Sequence, residues 1–224
     1  MEETILIAGT GPLHSRLIET CLDRQYRVIS TALETESPGE REPGDQKVHP
    51  RHLALPWNPG SSLSPGNILL QAEHDSGPFK AAFLVFPSGR TSESFHEISS
   101  AAIQKILDYR VKSYLFFLRE LIALFIRRGG GELNAVLHSE EGALVSPLVA
   151  GTYEMFRTMV RSCLSVYGEE SFLFRGFESS SAEPEPFRDF IIEQTLDNPA
   201  PRGRLLSFPP RGGLFSRGSG SRYK

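Results

Sequence analysis

Cysteine is scarce in this sequence, which has two such residues, Cys21 and Cys163. Both fall in segments with a helical pattern, and they lie far apart along the chain. This usage excludes a disulfide-dense scaffold and is typical of free, buried thiols in a reducing compartment. The sequence therefore predicts a cytoplasmic protein whose stability comes from its hydrophobic core.

Long hydrophobic runs are missing as well. The longest apolar stretch, residues 115–126, is interrupted by Arg119 and Glu120, whereas a membrane-spanning helix needs about 20 consecutive apolar residues. Neither sign of charge dominates, because 24 basic residues stand against 27 acidic ones, for a formal net charge of −3. These features predict a protein with no membrane segment and no nucleic-acid partner.

A cluster of metal ligands is the third feature that the sequence lacks. His49 and His52 lie close together, but no cysteine or carboxylate completes a set of ligands around them. Structural and catalytic metal sites combine three or four such side chains. We therefore expect no metal.

What the sequence does contain is a regular alternation of short apolar runs and amphipathic segments, which predicts strands alternating with helices. The predicted strands are 4–8, 27–32, 52–55, 80–86, 132–138, 172–177 and 204–208, and the predicted helices are 12–24, 67–73, 99–128, 148–167 and 186–196. Strand–helix–strand units imply parallel strands with right-handed crossovers. The predicted fold is α/β, a three-layer doubly wound parallel sheet of Rossmann type, formed by a single domain over 1–208. Residues 34–51 are predicted to form a loop, and 209–224 a flexible basic tail.

The most informative segment is Ile5–Leu17, where an apolar strand runs into a turn containing Gly9 and Gly11 and then into a helix. That pattern is typical of the start of a dinucleotide-binding domain, although His14 takes the third position of G-x-G-x-x-G. Gly9, Gly11, His14 and Arg16 are therefore candidate cofactor-binding residues. A protonated His14 at a helix N-terminus would hold an anion. The alternative is that His14 fills the turn and that Arg16 lies on the surface.

Several segments resemble motifs of the short-chain dehydrogenase/reductase family. The opening turn is similar to T-G-x-x-x-G-x-G, residues 83–89 (FLVFPSG) to L-V-N-N-A-G, and residues 129–139 to G-G-x-I-V-N-I-S-S. The resemblance covers nearly the whole chain. It implies NAD or NADP as the cofactor and a homodimer through helices 103–127 and 148–166. It also implies a contact of Gly89 with the cofactor and a hydrogen bond from Ser139 to a substrate carbonyl.

At other positions the chain departs from the family pattern. Leu13 and Ser15 replace the later glycines of the turn, Phe86 and Pro87 replace the two asparagines, and Arg110 stands where the long helix carries its asparagine. A side chain in place of a turn glycine fills the space through which pyrophosphate approaches the backbone. Arg110 either points a cation into the cleft and creates a pocket for an acid, or is an exposed or salt-bridged helix residue.

The family's catalytic Tyr-x-x-x-Lys fits this chain in two registers. One places Tyr153 and Arg157 at the two positions, and the other places Val149 and Tyr153 there. The distance to the next predicted strand at Phe172 favours the Val149 register. Valine cannot exchange a proton, and arginine stays charged and cannot shuttle one.

We therefore predict a relative of the short-chain dehydrogenases that has lost catalysis and acts as a ligand-binding, regulatory or structural dimer. The alternative is a divergent NAD(P)-dependent oxidoreductase acting on a carbonyl or alcohol through Ser139, Tyr153 and Arg157. A third possibility is a site for a small anionic ligand, centred on His14 and Arg110.

Overall fold

The structure is a computed structural model that describes residues 3–34, 49–87, 89, 94–139, 146–181 and 183–208. The predicted tail and most of the predicted 34–51 loop lie outside these ranges. The domain boundary at residue 208 stays a prediction.

The described residues form seven strands and six α-helices. The strands are β1 Thr4–Gly9, β2 Arg27–Leu33, β3 His52–Trp57, β4 Ala81–Phe86, β5 Glu132–His138, β6 Leu173–Ser179 and β7 Arg204–Phe208. The helices are α1 Pro12–Asp23, α2 Ser64–Ser76, α3 Ser100–Leu107, α4 Ser113–Arg128, α5 Pro147–Val166 and α6 Pro184–Ile192. The predicted elements are all present, and the largest extension is that of α2, by three residues at each end.

The strands form one parallel sheet in the order β3-β2-β1-β4-β5-β6-β7. The central strands β1 and β4 are buried along their whole length, which explains their uninterrupted apolar sequences. The strand order reverses direction between β1 and β4, so the loops after these two strands diverge and leave a crevice at their carboxyl ends. The predicted doubly wound Rossmann-like fold is confirmed.

Helices cover both faces of the sheet. On one face α2, α4 and α5 pack over a core that contains Trp57, Phe117 and Phe156. On the other face α1 and α6 pack over a core that contains Leu17 and Phe187. The three layers bury both sides of the central strands.

The predicted long helix over 99–128 is interrupted. A π-helical turn, Asp108–Lys112, separates α3 from α4 and buries Arg110 and Val111. A π turn inserts an extra residue into the helix and changes the direction in which its side chains point. This turn faces the crevice between β1 and β4 and brings Tyr109 to the loop after β1.

No helix in the described ranges is both long enough and apolar enough to span a membrane.

Candidate functional site

The first part of the site is the β1–α1 turn. Gly9 has a φ of +141°, and a Cβ at this position would clash with the carbonyl oxygen of Val85 in β4. The turn is fixed by Thr31, whose hydroxyl accepts from the Gly9 N–H at 2.9 Å and donates to the Gly9 carbonyl at 3.0 Å. Gly11, at φ +98°, precedes α1. The two glycines therefore shape the turn as the sequence pattern predicts.

The side chains that follow the turn point away from it. Leu13 is 3% exposed and belongs to the core beneath α1. His14 is 7% exposed, and its Nε2–H donates to the carbonyl of Ile7 at 3.2 Å. Burial lowers the pKa of His14 to about 4, against the smaller opposite effect of the Ile7 hydrogen bond. His14 is therefore neutral at pH 7, a charge state that does not support the anion-binding role considered for it.

Arg16 lies on the surface of α1. Its guanidinium forms ion pairs with Glu19 at 3.3 Å and Glu185 at 3.4 Å. It therefore points toward α6 rather than into the turn.

The second part of the site is the crevice between β1 and β4, where the dominant side chain is Arg110. Only 8% of Arg110 is exposed. Its Nε donates to Thr152 Oγ1 at 3.0 Å, and Nη2 donates to the carbonyl of Pro87 at 2.8 Å. The guanidinium carbon lies 5.2 Å from the centre of the Phe86 ring. Nη1 packs directly against Gly89, at which a Cβ would clash with it. Gly89 thus makes room for an arginine of this chain.

The third part is a cavity of about 350 Å³ beside α5 and the carboxyl ends of β5, β6 and β7. It is lined by Ser139, Tyr153, Glu154, Arg157, Glu178, Ser179, Ser180, Ser207 and Phe208. The structure therefore brings together the three candidate catalytic residues Ser139, Tyr153 and Arg157. Val149 is 4% exposed and is not among the residues that line this cavity.

Within this cavity Arg157 is held by a carboxylate. Its Nε and Nη2 donate to the two oxygens of Glu178 at 2.6 and 3.2 Å, and this pairing raises the pKa of Arg157. Glu178 also accepts from the Ser207 hydroxyl at 2.7 Å. Burial alone would raise the pKa of Glu178, but the bonds from Arg157 and Ser207 outweigh it and the pKa is lowered. The pair is ionised, and the guanidinium is directed at Glu178.

The surroundings of Tyr153 make its phenol a weaker acid, mainly through burial. Burial raises the pKa of Tyr153 to about 12, although the nearby Ser139 hydroxyl acts in the opposite direction. The negative charge of Glu178 opposes ionisation of the phenol more than Arg157 favours it. Proton transfer by a phenol near neutral pH needs a pKa below the usual value of about 10. The three residues are close together, but their electrostatics do not activate the tyrosine.

Sequence reasoning missed several residues of these sites. Glu178 is the clearest omission, since a carboxylate directly after Phe177, near the end of a buried strand, is a recognisable signal in the sequence. Thr10, Tyr109 and Tyr114 carried no such signal. They meet at the crevice because the π turn and the start of α4 lie beside the loop after β1.

No protein-family profile matches this sequence, and no curated protein is significantly similar to it. Solved structures are similar in fold. A short chain dehydrogenase from Leptospira borgpetersenii serovar Hardjo-bovis with bound NAD+ superposes with a TM-score of 0.75 at 11% identity, covering 92% of this chain and 91% of that one. A putative short-chain alcohol dehydrogenase from Burkholderia multivorans gives 0.73 at 14%, covering 94% and 98%. A 3-ketoacyl-(acyl-carrier-protein) reductase from Brucella melitensis complexed with NADH gives 0.72 at 11%, covering 92% and 96%. The chain therefore has the Rossmann-like fold of the short-chain dehydrogenases/reductases.

Proposed function

We propose that this chain is a non-catalytic protein with the short-chain dehydrogenase/reductase fold, acting as a dimeric binding or regulatory module. The observation that carries the proposal is the bidentate pair between Arg157 and Glu178. Tyr153 is the phenol in the cavity, and Arg157, the only cation among the described residues that line it, is paired with Glu178 beside it. In the alternative register the tyrosine position is Val149, which has no proton to exchange. Neither register supplies an activated acid.

The crevice also fits a dinucleotide poorly. The side chains of Phe86 and Arg110 fill the space beside Gly89 at the carboxyl end of β4. At the turn, the Leu13 side chain points into the core beneath α1 and does not fill the pyrophosphate space. The poor fit there comes from Pro12, which removes one of the backbone N–H donors that a helix N-terminus offers to pyrophosphate. We derive no catalytic step through NAD or NADP for this chain.

A second candidate function is a divergent NAD(P)-dependent oxidoreductase acting on a carbonyl or alcohol. It is favoured by the common cavity of Ser139, Tyr153 and Arg157, and by the cofactors present in the structural neighbours. In that case NAD or NADP would bind at the Gly9–Gly11 turn.

A titration with NADH and NADPH separates the two functions. The non-catalytic function predicts no change in nicotinamide fluorescence and no rise in melting temperature at millimolar dinucleotide. The oxidoreductase function predicts saturable binding and stabilisation by mass action, about 2.7 kcal/mol at a hundredfold excess over the dissociation constant. A carbonyl reductase activity that disappears in Tyr153→Phe would overturn the non-catalytic proposal.

The dimer that we propose uses the faces of residues 103–127 and 148–166. On α5 the apolar side chains of Met155, Met159 and Val166 are 49%, 39% and 68% exposed, and their spacing of four and seven residues places them on one stripe of the helix. Ile126 on α4 is 40% exposed. A cytoplasmic location is part of the same proposal, since Cys21 and Cys163 are both free thiols.

A further inference from the structure

Arg110 is unusual among the well-buried arginines of this protein. The side chains of Arg128, Arg157 and Arg175 each form an ion pair with a carboxylate, provided by Glu73, Glu178 and Glu132 respectively. No carboxylate in the described part of the chain lies within ion-pair distance of Arg110. Its guanidinium donates only to two neutral oxygens, those of Thr152 and Pro87, and Nη1 makes no hydrogen bond to any described residue.

A buried charge without a counter-ion is costly, because the low-dielectric interior does not replace the solvation that the charge loses. The face of Phe86 and two hydrogen bonds compensate only partly. The cost is removed if an anion from solution completes the site. Desolvation also lowers the pKa of Arg110, the direction expected for a cation that lacks such a partner.

The polar side chains that act on Arg110 are the neutral hydroxyls of Thr152, Tyr109 and Tyr114. The hydroxyl of Tyr109 lies 3.4 Å from that of Thr10. The Tyr114 hydroxyl is fully buried and lies near the Thr10 side chain, without a hydrogen bond of normal length to any described residue. Burial raises the pKa of Tyr114, which keeps this phenol neutral and able to donate. Tyr109 and Tyr114 are the titratable groups that act on Arg110.

Thr10 and Gly89, at the edge of the crevice, are both partly exposed. The ligand must be small, since Phe86, Gly89 and Arg110 already pack against one another. One uncompensated positive charge balances one negative charge, and the planar guanidinium fork matches a carboxylate. A phosphate dianion would leave excess negative charge in the crevice.

We propose that the crevice between β1 and β4 is a binding site for a small monocarboxylate, held by the guanidinium of Arg110 and by the hydroxyls of Thr10, Tyr109 and Tyr114. The crevice thus binds a small organic acid in place of a dinucleotide. His14, with its ring on the carbonyl of Ile7, takes no part in it.

The test uses sodium acetate as the probe, with sodium chloride at equal ionic strength as the salt control. The melting temperature of the wild type is expected to rise by about 3–6 °C at an acetate concentration about tenfold above its dissociation constant. A second readout is the emission of Trp57. It is the one tryptophan of the sequence, and its ring centre lies 5.2 Å from that of Tyr114. Emission should change saturably with acetate.

Two variants and a control locate the binding. Arg110→Met is expected to lose the acetate response. Without acetate, Arg110→Met should melt at the same or a higher temperature than the wild type. Tyr114→Phe removes a hydroxyl that forms no hydrogen bond of normal length, so it should fold normally and bind acetate several-fold more weakly. Arg119→Met, on an exposed position of α4, should respond as the wild type does.

Each contrary outcome has a distinct meaning. The proposal is overturned if acetate and larger monocarboxylates leave the wild type unchanged. It is also overturned if Arg110→Met or Tyr114→Phe responds as strongly as the wild type, or if inorganic phosphate binds and carboxylates do not. Binding of NADH or NADPH would overturn the non-catalytic proposal without affecting the carboxylate result, so the two failures are distinguishable.

Discussion

At the scale of single residues, the properties of the cavity and of the crevice depend on which carboxylate, if any, pairs with each buried arginine. The positive charge of Arg157 could lower the pKa of Tyr153. Arg157 instead donates two hydrogen bonds to Glu178, whose negative charge balances it. Arg175 is likewise bound to Glu132 and to the carbonyl of Ala200. Arg110 differs because its charge is left without a carboxylate. What each arginine can do therefore depends on its partner as well as on its being an arginine.

Replacing Glu178 tests the pairing directly. We expect Glu178→Gln to lower the pKa of Tyr153, because Arg157 is then free to stabilise the phenolate. The same change should destabilise the fold by about 1–3 kcal/mol, since it leaves a partly buried guanidinium without its carboxylate. The pKa is measured by NMR titration of the labelled tyrosine, and stability by denaturant unfolding.

Glu154→Gln is the matched control for that change. Glu154 pairs with the same arginine, at 3.4 Å, but is 61% exposed. Its removal should cost less than about 0.5 kcal/mol and leave the pKa of Tyr153 nearly unchanged. Equal effects of the two variants would show that Glu178 does not control Tyr153.

At the scale of elements, most of the architecture was predictable from the sequence. The central strands β1 and β4 are uninterrupted apolar runs, and the helices show a clear 3.6-residue period, so each element was located to within a few residues. The π turn at Asp108–Lys112 was not predictable, because one inserted residue barely disturbs that period over a long segment. The crevice residues Tyr109 and Arg110 lie on this turn, and their contacts could not be foreseen.

The register of α5 stays a prediction. Spacing to the next strand favours Val149 at the tyrosine position, and the structure places Tyr153, the tyrosine of the other register, in the cavity with Ser139 and Arg157. The pair of Arg157 with Glu178 joins residues 21 positions apart and depends on how α5 packs on β6. Only the folded structure supplies that information.

The two glycines of the first turn provide a prediction at the element scale. Gly9→Ala should destabilise the protein strongly, because both its φ of +141° and the backbone of Val85 exclude a Cβ. A Cβ at Gly11 would have no atom within 4 Å. Gly11→Ala should therefore lower the free energy of unfolding only through the strain of its positive φ, by about 1–2 kcal/mol. Denaturant unfolding should rank the loss of stability for Gly9→Ala well above that for Gly11→Ala. A larger loss for Gly11→Ala would contradict the described packing of β1 on β4.

At the scale of the whole molecule, the proposed dimer accounts for the exposed apolar stripe on α5. We expect the double variant Met155→Glu with Met159→Glu to shift the protein to a monomer, because the two-fold axis would bring like charges together. Sedimentation equilibrium measures the mass against the 24.9 kDa of one chain.

A matched control for the dimer is Leu70→Glu on α2. Leu70 is 67% exposed but lies outside the proposed interface. This variant should remain dimeric. A wild type that stays monomeric at high concentration would contradict the dimer.

Our proposal that this chain carries out no dinucleotide chemistry is tested most directly by a crystal structure grown with millimolar NADPH. We expect the Arg110 guanidinium to remain between Phe86 and Gly89, and we expect no nicotinamide density in the crevice between β1 and β4. An ordered NADPH, with its pyrophosphate at the Gly9–Gly11 turn and Arg110 displaced from Phe86, would contradict it.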